Sequence, residues 1–568
     1  MKIPYGISNF KSLREQGYLY VDKTPYIEKL ENLNSKYIFF IRPRRFGKSL
    51  FLSTLEHYYD VNAEEDFQKL FGDLYIGKNP TPLKNTYLIL KLNFSGLNTE
   101  NKESLYGSFK SSLINSIASF LSKYSWVLGD KTELKNALFN TYDIRSLIDV
   151  FIEEIRRHSK KIYLIIDEYD HFANDIIAMG DNDFYKEIIR ASGFVRDFYE
   201  TVKIGTENVI DRIFITGISP IMLDDLTSGF NIAMNITMDK NLNEMLGFTE
   251  KELQKILDML NINPADIQIK LKDYYNGYLF NLDASERMYN PDMIFYFLDQ
   301  YTRYNKEPRI LIDDNVKTDY GRLNRLATNE KNKKVLEKIL RDESIVSDIV
   351  TKFSFDRMYD DEYFISLLFY MGMLTIKESK YNMVELAIPN YVIKTIFWEY
   401  FERKLKEEYH LEYQKSELAE SIWTMAFQGK IEPFLDFISN NVLKALSNRD
   451  IINFDEKYIK VILFSYLITS GLYKPVSEKE VESGYIDIYL ERDMRNPDVK
   501  YEWLLELKYI KKSEERRPDF AQYIEKIKAE GQEQLGRYKT SRRLENKKDL
   551  KQALLIFIGK DKYEIVEK

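Results

Sequence analysis

At 568 residues the chain is too long for one hydrophobic core, and the usual domain size gives about three or four units. Hydrophobic content of 44%, with 14% aromatic and 30% charged residues, excludes a disordered chain, and a net charge of −7 argues against a uniformly nucleic-acid-coated surface while leaving a local basic patch open. There is no cysteine and only four scattered histidines (His57, His158, His171, His410), which excludes disulfides, thiolate zinc sites and cysteine nucleophiles and argues against histidine triads. Any metal falls to carboxylates, which favours Mg2+ or Mn2+.

The first stretch, "MKIPYGISNFKSLREQ", lacks the apolar centre of a signal peptide, and no apolar run approaches the roughly 18 residues of a membrane span. The chain therefore reads as cytoplasmic.

Four short, continuously apolar runs follow in order: "KYIFFI", "TYLILKLNF", "KIYLIIDEY" and "DRIFITGIS". Runs of this kind, alternating with helical stretches, are the pattern of strands buried on both faces of a parallel sheet. They predict an α/β domain over residues 1–238.

The first run leads into "RPRRFGKSLF". Gly47, Lys48 and Ser49 end it as a Walker A loop, G-x-x-x-x-G-K-[ST], ends, and "SLFLSTLEHYY" continues with helical spacing. A helix N-terminus there would turn its N–H groups toward phosphates. The first glycine position holds Arg42 instead. A side chain at that place needs a compatible backbone, and Pro43 biases Arg42 away from the helical region, so the loop is expected to be reshaped rather than lost. Arg42, Arg44 and Arg45 then put three cations beside the phosphates, with an ion-paired or partner-facing patch as the alternative.

In "IYLIIDEYD" the strand ends on Asp167 and Glu168, the Walker B form, in which the aspartate can hold Mg2+ and the glutamate can polarise an attacking water. "RIFITGIS" puts Thr216 and Ser219 where a polar sensor of the γ-phosphate would sit. Each feature alone is an ordinary helix start or strand end. Their order along the chain points to a P-loop fold.

From "LGFTEKELQKILDML" onward the pattern turns helical, with Thr249 and Glu252 spaced as a capping box. Helical spacing continues through "FISLLFYMGML" and "YVIKTIFWEYFERKL", with one strand-like stretch, "MVELAIPN". Residues 239–415 are read as a mainly helical middle region, and residues 416–568 as a second α/β or α+β unit.

"IPYGISNFKSLREQGYLYVDKTPYIEKL", "FIRPRRFGKSLFLSTLEHYY", "LIIDEYDHF", "FITGISPI", "YYNGYLF", "YNPDMIFYFL" and "LLFYMGMLTIKE…LAIPNYVI" resemble, in order, the successive blocks of the AAA-ATPase-like family, over about residues 3 to 400. In that family the loop reads R-P-R-R-F-G-K-S, so Arg42 matches the family pattern. The resemblance implies an ATP and Mg2+ site. It carries over Arg42, Arg44, Arg45, Phe46, Gly47, Lys48, Ser49, Leu50, Asp167 and Thr216 as nucleotide-binding residues, Ser49 and Asp167 as metal ligands, and Glu168 as the hydrolytic group.

Members of that family commonly carry a PD-(D/E)XK nuclease superfamily domain, and matching residues are present here. "ESGYIDIYLERD" contains Asp487, "WLLELKYI" contains Glu506 and Lys508, and "EGQEQLGRYK" contains Gln534 and Tyr538, spaced as the superfamily's Q-x-x-x-Y element. Strands joined across "RNPD" would bring Asp487 beside Glu506, and alternation would put Glu506 and Lys508 on one face. Two carboxylates and the Leu507 carbonyl could then hold Mg2+ or Mn2+, with Lys508 acting on the attacked water. The alternative is an amphipathic hairpin with solvated charges.

Many relatives place a further acid on the preceding helix, for which Glu456 and Glu482 are the candidates. Residues 508–551 hold 14 Lys/Arg against 8 Asp/Glu, a surplus of 6 that suits a phosphate backbone. The expectation is an ATPase coupled to a metal-dependent nuclease, with nucleic acid as partner (DNA ahead of RNA), no membrane, and a homo-oligomer left open. The rivals are a nucleotide switch whose nuclease-like domain binds without cutting, and a degenerate ATPase in which the P-loop is only a scaffold.

Overall fold

The four apolar runs form parallel strands β1 (Tyr37–Ile41), β2 (Leu88–Asn93), β3 (Ile162–Asp167) and β4 (Ile210–Gly217). A short β5 (Met234–Asn235) pairs with β1. The computed structural model describes residues 1–179, 182–189, 193–222, 230–314, 316–317, 329–353, 357, 360–446, 455–481, 484–539, 541, 544, 547, 549–560 and 562–567.

The spatial order is β2-β3-β4-β1-β5. β3 is buried along its whole length, as a strand covered on both faces must be. β4 stands between β1 and β3, with Phe40 opposite Thr216 and Ile166 opposite Ile215. The carboxyl ends of β1, β4 and β3 therefore lie side by side, and the phosphate loop, Thr216 and Asp167 emerge along one edge. In open parallel sheets ligands bind at that edge.

The chain divides into two compact units, residues 1–336 with 344–390, and residues 337–343 with 391–568. In the first unit the helix Glu250–Met259 opens on a complete capping box. Thr249 Oγ1 accepts the Glu252 N–H at 3.1 Å, and Glu252 Oε2 accepts the Thr249 N–H at 2.8 Å. Lys23 Nζ lies 2.7 and 2.8 Å from the two oxygens of that same carboxylate, which ties the N-terminal segment to the helix start.

An antiparallel sheet of order β6-β8-β7 completes this unit: β6 (Ser344–Ser347), β7 (Thr375–Lys380) and β8 (Met383–Ala387). The sequence pattern signals only β8. In β7, "TIKESK", just the first two residues are buried, so there is no apolar run to mark it.

The second unit begins with the helices Tyr391–Glu408, Lys415–Gln428, Glu432–Asn441 and Glu456–Leu467. They are followed by β9 (Tyr473–Val481), β10 (Gly484–Arg492), β11 (Glu502–Ile510), β12 (Leu550–Ile558) and β13 (Lys562–Glu567), in order β13-β12-β11-β10-β9. β9, β10 and β11 form an antiparallel meander, whereas β11 and β12 are parallel and joined across the helix Phe520–Lys539. Tyr489, Leu504, Ile524, Leu535, Tyr538 and Leu554 pack together where that helix meets the sheet. Among the described residues no helix is long and apolar enough to cross a membrane.

Thr249→Ala removes one arm of the capping box and is expected to destabilise the first unit by about 1 kcal/mol. The check is the thermal unfolding midpoint of the full chain; an unchanged midpoint would show that the cap contributes nothing.

Candidate nucleotide and metal sites

Between β1 and the helix Lys48–Tyr59 the chain turns through two positive φ angles, 63° at Arg45 and 93° at Gly47. A non-glycine residue in that region costs roughly 1–2 kcal/mol, so the loop must be held from outside. Arg45 Nη1 reaches Asp292 Oδ2 at 3.0 Å, and Asn290 Nδ2 donates to the Arg44 carbonyl at 3.3 Å. Both partners stand at the start of the helix Pro291–Tyr304.

Lys48 is buried, and its ammonium folds back to donate to the carbonyls of Arg42 and Pro43, each at 2.9 Å. Burial lowers its pKa to about 8, against the opposing pull of Asp167. Ser49 Oγ donates to Asp167 Oδ2 at 2.7 Å, so the hydroxyl after the loop lysine and the carboxylate at the end of β3 meet directly. Glu168 follows with φ of 50°, its carboxyl raised by burial.

A cavity of about 440 Å³ opens here, a volume suited to a small ligand. Arg44, Arg45, Phe46, Gly47, Lys48, Ser49, Leu50 and Glu168 line one side, and Ile7, Leu13, Leu19, Val21, Leu246 and Phe248 form an apolar wall.

Arg42 is not part of that lining, which corrects the expectation that its charge lies beside the phosphates. It is 1% exposed, and its guanidinium donates to the carbonyls of Ile41 (2.9 Å), Thr237 (2.7 Å) and Leu242 (3.2 Å). The rings of Phe40 and Phe280 lie 4.3 and 4.0 Å from it. Burial lowers its pKa to about 9. A planar, delocalised cation can be held this way by carbonyl dipoles and ring faces, which a compact ammonium would do less well. Phe46 packs edge-on against Phe280 and Tyr278, so the loop is pinned to the same aromatic group. Thr216 is 1% exposed, its hydroxyl without a hydrogen-bond partner among the described residues, and it is not part of the cavity lining, which corrects its expected place as a sensor of the γ-phosphate.

In the second unit the pairing of β10 with β11 runs from Leu490↔Trp503 to Ile488↔Leu505, and Asp487 and Glu506 come one step further on. Asp487 Oδ2 accepts the Leu507 N–H at 3.0 Å, and Lys508 Nζ donates to Glu506 Oε1 at 2.7 Å. Glu506 is 1% exposed, and its Oε2 has no hydrogen-bond partner among the described residues. Burial first, and the charge of Asp487 second, push its carboxyl up to about 7.

Glu456, the first residue of its helix, accepts the Tyr509 N–H at 3.2 Å, and its charge also reaches Glu506. Glu482, the other acidic candidate, lies outside the described residues. Tyr538 donates to the Tyr485 carbonyl at 2.7 Å, and its hydroxyl is pushed up to about 12 by burial and then by Glu506 and Asp487. Gln534, one turn earlier on the same helix, is half-buried and makes no hydrogen bond among the described residues. No group of three or more His, Asp or Glu side chains among the described residues stands in metal-holding geometry.

Two residues near the nucleotide cavity escaped the sequence reading: Lys23, which lines it, and Asp170, buried just behind Glu168. The signal for Asp170 was present in "DEYD", a second aspartate three residues after Asp167 in a strand-end loop.

Residues 4–227 match the AAA-ATPase-like family, described as a predicted AAA-ATPase, and residues 454–567 match the PD-(D/E)XK nuclease superfamily. The chain thus joins an AAA-ATPase-like domain to a C-terminal PD-(D/E)XK nuclease superfamily domain. A curated relative, an uncharacterized protein in the vnfD 5' region of Azotobacter chroococcum mcd 1, is 27% identical over 301 residues, 52% of either chain. The chain spans about half the length of that relative. Among solved structures, a Walker-type ATPase of Pyrococcus abyssi is similar at 14% identity and TM-score 0.39, covering 66% of this chain and 94% of that one. The ORC1 protein of Aeropyrum pernix in complex with DNA is similar at 10% identity and TM-score 0.27, with 71% and 96% covered.

Glu506 also sets a pH dependence. Its folded pKa of about 7 lies above that of an unfolded glutamate, so the folded state binds the extra proton. That contribution to stability is fully present below the ordinary carboxylate pKa and is lost as the pH rises to about 7. With EDTA present, the unfolding midpoint is expected to fall across this window in the wild type and to fall less in Glu506→Gln; parallel curves would remove the assignment.

Proposed function

We propose that this chain binds and hydrolyses ATP with Mg2+, and that its nucleotide state controls a divalent-metal-dependent nuclease that cleaves phosphodiester bonds in nucleic acid, DNA ahead of RNA. The observation that carries the nuclease half is the buried Glu506 carboxylate. One oxygen is paired to Lys508 and the other meets no donor among the described residues, with Asp487 alongside. A buried carboxylate oxygen left in that state calls for a proton or a cation.

The donor set fits a divalent ion. Leu507 gives its N–H to Asp487, and the N–H and C=O of one strand residue project toward the same edge, so its carbonyl would be the third donor beside Asp487 and Glu506. Bound there, Mg2+ or Mn2+ supplies a water of lowered pKa and a charge opposite the phosphate. Lys508 orients the attacking water and offsets charge on the phosphate. Tyr538, through the Tyr485 carbonyl, steadies β10 two residues before Asp487, and Gln534 faces the same side of its helix. The surplus of 6 cationic residues over 508–551 draws the nucleic-acid backbone to this end of the domain.

In the nucleotide half, Lys48 exchanges the two loop carbonyls for phosphate oxygens, with Arg44 and Arg45 beside it and Gly47 leading the N–H groups of Ser49 and Leu50. Ser49 and Asp167 would hold Mg2+ and Glu168 would accept a proton from the attacking water, whereas Thr216, buried and absent from the cavity lining, is left out of the phosphate contacts. The protein works in the cytoplasm, with self-association left to be measured.

That no group of three or more His, Asp or Glu side chains among the described residues stands in metal-holding geometry favours one rival, a nucleotide-dependent switch whose nuclease-like domain holds nucleic acid without cutting. Full-length protein incubated with single- and double-stranded DNA and RNA, in Mg2+ or Mn2+ and across an ATP titration, separates the two. Cleavage that falls by at least about a hundredfold in Lys508→Ala supports the nuclease. Substrates bound but left intact in every condition, with Lys508→Ala indistinguishable from wild type, support the switch.

Lys48→Ala is expected to weaken ATP binding by at least about tenfold, measured by calorimetry. Equal affinities would reduce the P-loop to a scaffold.

A further inference from the structure

Glu168 is a non-glycine residue at positive φ directly after β3, and such a conformation persists only when its surroundings over-determine it. The surroundings are unusually specific. The Tyr169 N–H donates to the Thr216 carbonyl at 3.1 Å, and the Tyr169 hydroxyl stands 2.6 Å from the carbonyls of both Ser219 and Ile221. Next comes Asp170, whose side chain is wholly buried and makes no ion pair among the described residues.

Its charge is met by dipoles of the loop after β4. Asp170 Oδ2 accepts the Ser219 N–H and the Ser219 hydroxyl, each at 2.8 Å, and Asn174 Nδ2 at 2.7 Å. The Ile218 N–H reaches the same carboxylate at 3.1 Å. Two successive N–H groups closing on one anion form a nest of the kind that binds phosphates elsewhere, here filled by a side chain. Gly217 makes the approach feasible: a Cβ there would stand 2.3 Å from Asp170 Oδ1 and 2.5 Å from the Tyr169 ring.

The loops after β3 and β4 are therefore locked into one body. That body carries Glu168 on the cavity wall, while Asp170 itself does not line the cavity. We infer that Asp170 is a positioning residue for ATP hydrolysis, fixing Glu168 on the cavity wall through the main chain of Ile218 and Ser219; this rests on the reading of the first site as an ATPase. Nothing in the inference requires Asp170 to touch nucleotide or metal.

Asp170→Asn keeps the size of the side chain but removes the carboxylate and, with its oxygen turned to Ser219, puts an amide NH2 where Oδ1 now faces the Ile218 N–H. The expected result is a kcat lower by about 10- to 100-fold, the loss associated with small displacements of reacting groups, with KM and ATP affinity within about threefold of wild type. Ser219→Ala, which removes one donor and leaves the fold intact, should lower kcat by about three- to tenfold in the same pattern. Adding Asp170→Asn to Glu168→Gln should cost little beyond Glu168→Gln alone, because both act on one step.

A kcat unchanged in Asp170→Asn, a parallel loss of ATP affinity and kcat, or additive losses in the double variant would each overturn the inference. If Asp170→Asn does not fold, Ser219→Ala decides, and wild-type kinetics there would overturn it. Wild-type protein that binds ATP without turning it over would instead defeat the ATPase reading, and the positioning role with it.

Discussion

Charges are held out of water at several points in this chain, and each needs something fixed to answer it. A buried ion without a partner is costly enough that its surroundings must supply dipoles, an opposite charge or a bound ion. Arg42 is answered by three carbonyls and two ring faces, Lys48 by two loop carbonyls, and Asp170 by the N–H groups and hydroxyl of the loop after β4. The carboxyl edge of the parallel sheet is where these answers converge. Strand ends present unpaired N–H and C=O groups there, and the helix Lys48–Tyr59 adds its N-terminal dipole.

The two sites differ in how complete these answers are. Around the phosphate loop nearly every charge is already met from within: Lys48 rests on carbonyls, Ser49 on Asp167, and Arg45 on Asp292. A nucleotide there would compete with existing contacts, which suits a loop that changes partners as ligand comes and goes. In the nuclease-like domain Glu506 keeps one oxygen without a partner among the described residues, beside a second carboxylate, and its carboxyl is pushed up to about 7.

Arg42 shows where local reasoning stops. In the sequence it stands where the Walker pattern has glycine, among arginines that read as phosphate ligands. Its neighbours in space, Thr237, Leu242 and Phe280, are about 200 residues or more away along the chain, and they decide that its charge points inward. Asp170 was passed over for a related reason. A solvated acid and an acid filling a nest look alike until the loop after β4 is folded against it. β7 was missed because a strand with one solvated end carries no apolar run.

The sequence by itself determined the four buried parallel strands, the phosphate-loop ending, the capping box at Thr249 and the positions of Asp487, Glu506 and Lys508, because hydrophobic periodicity and short motifs are local properties of a chain. Only the tertiary structure decided that β4 separates β1 from β3, that Arg42 faces the interior while Arg44 and Arg45 line the cavity, and that Glu506 is buried with one oxygen lacking a partner among the described residues. Strand order, the direction of a buried cation and the satisfaction of a buried carboxylate depend on partners distant in sequence, which become neighbours only when the chain folds.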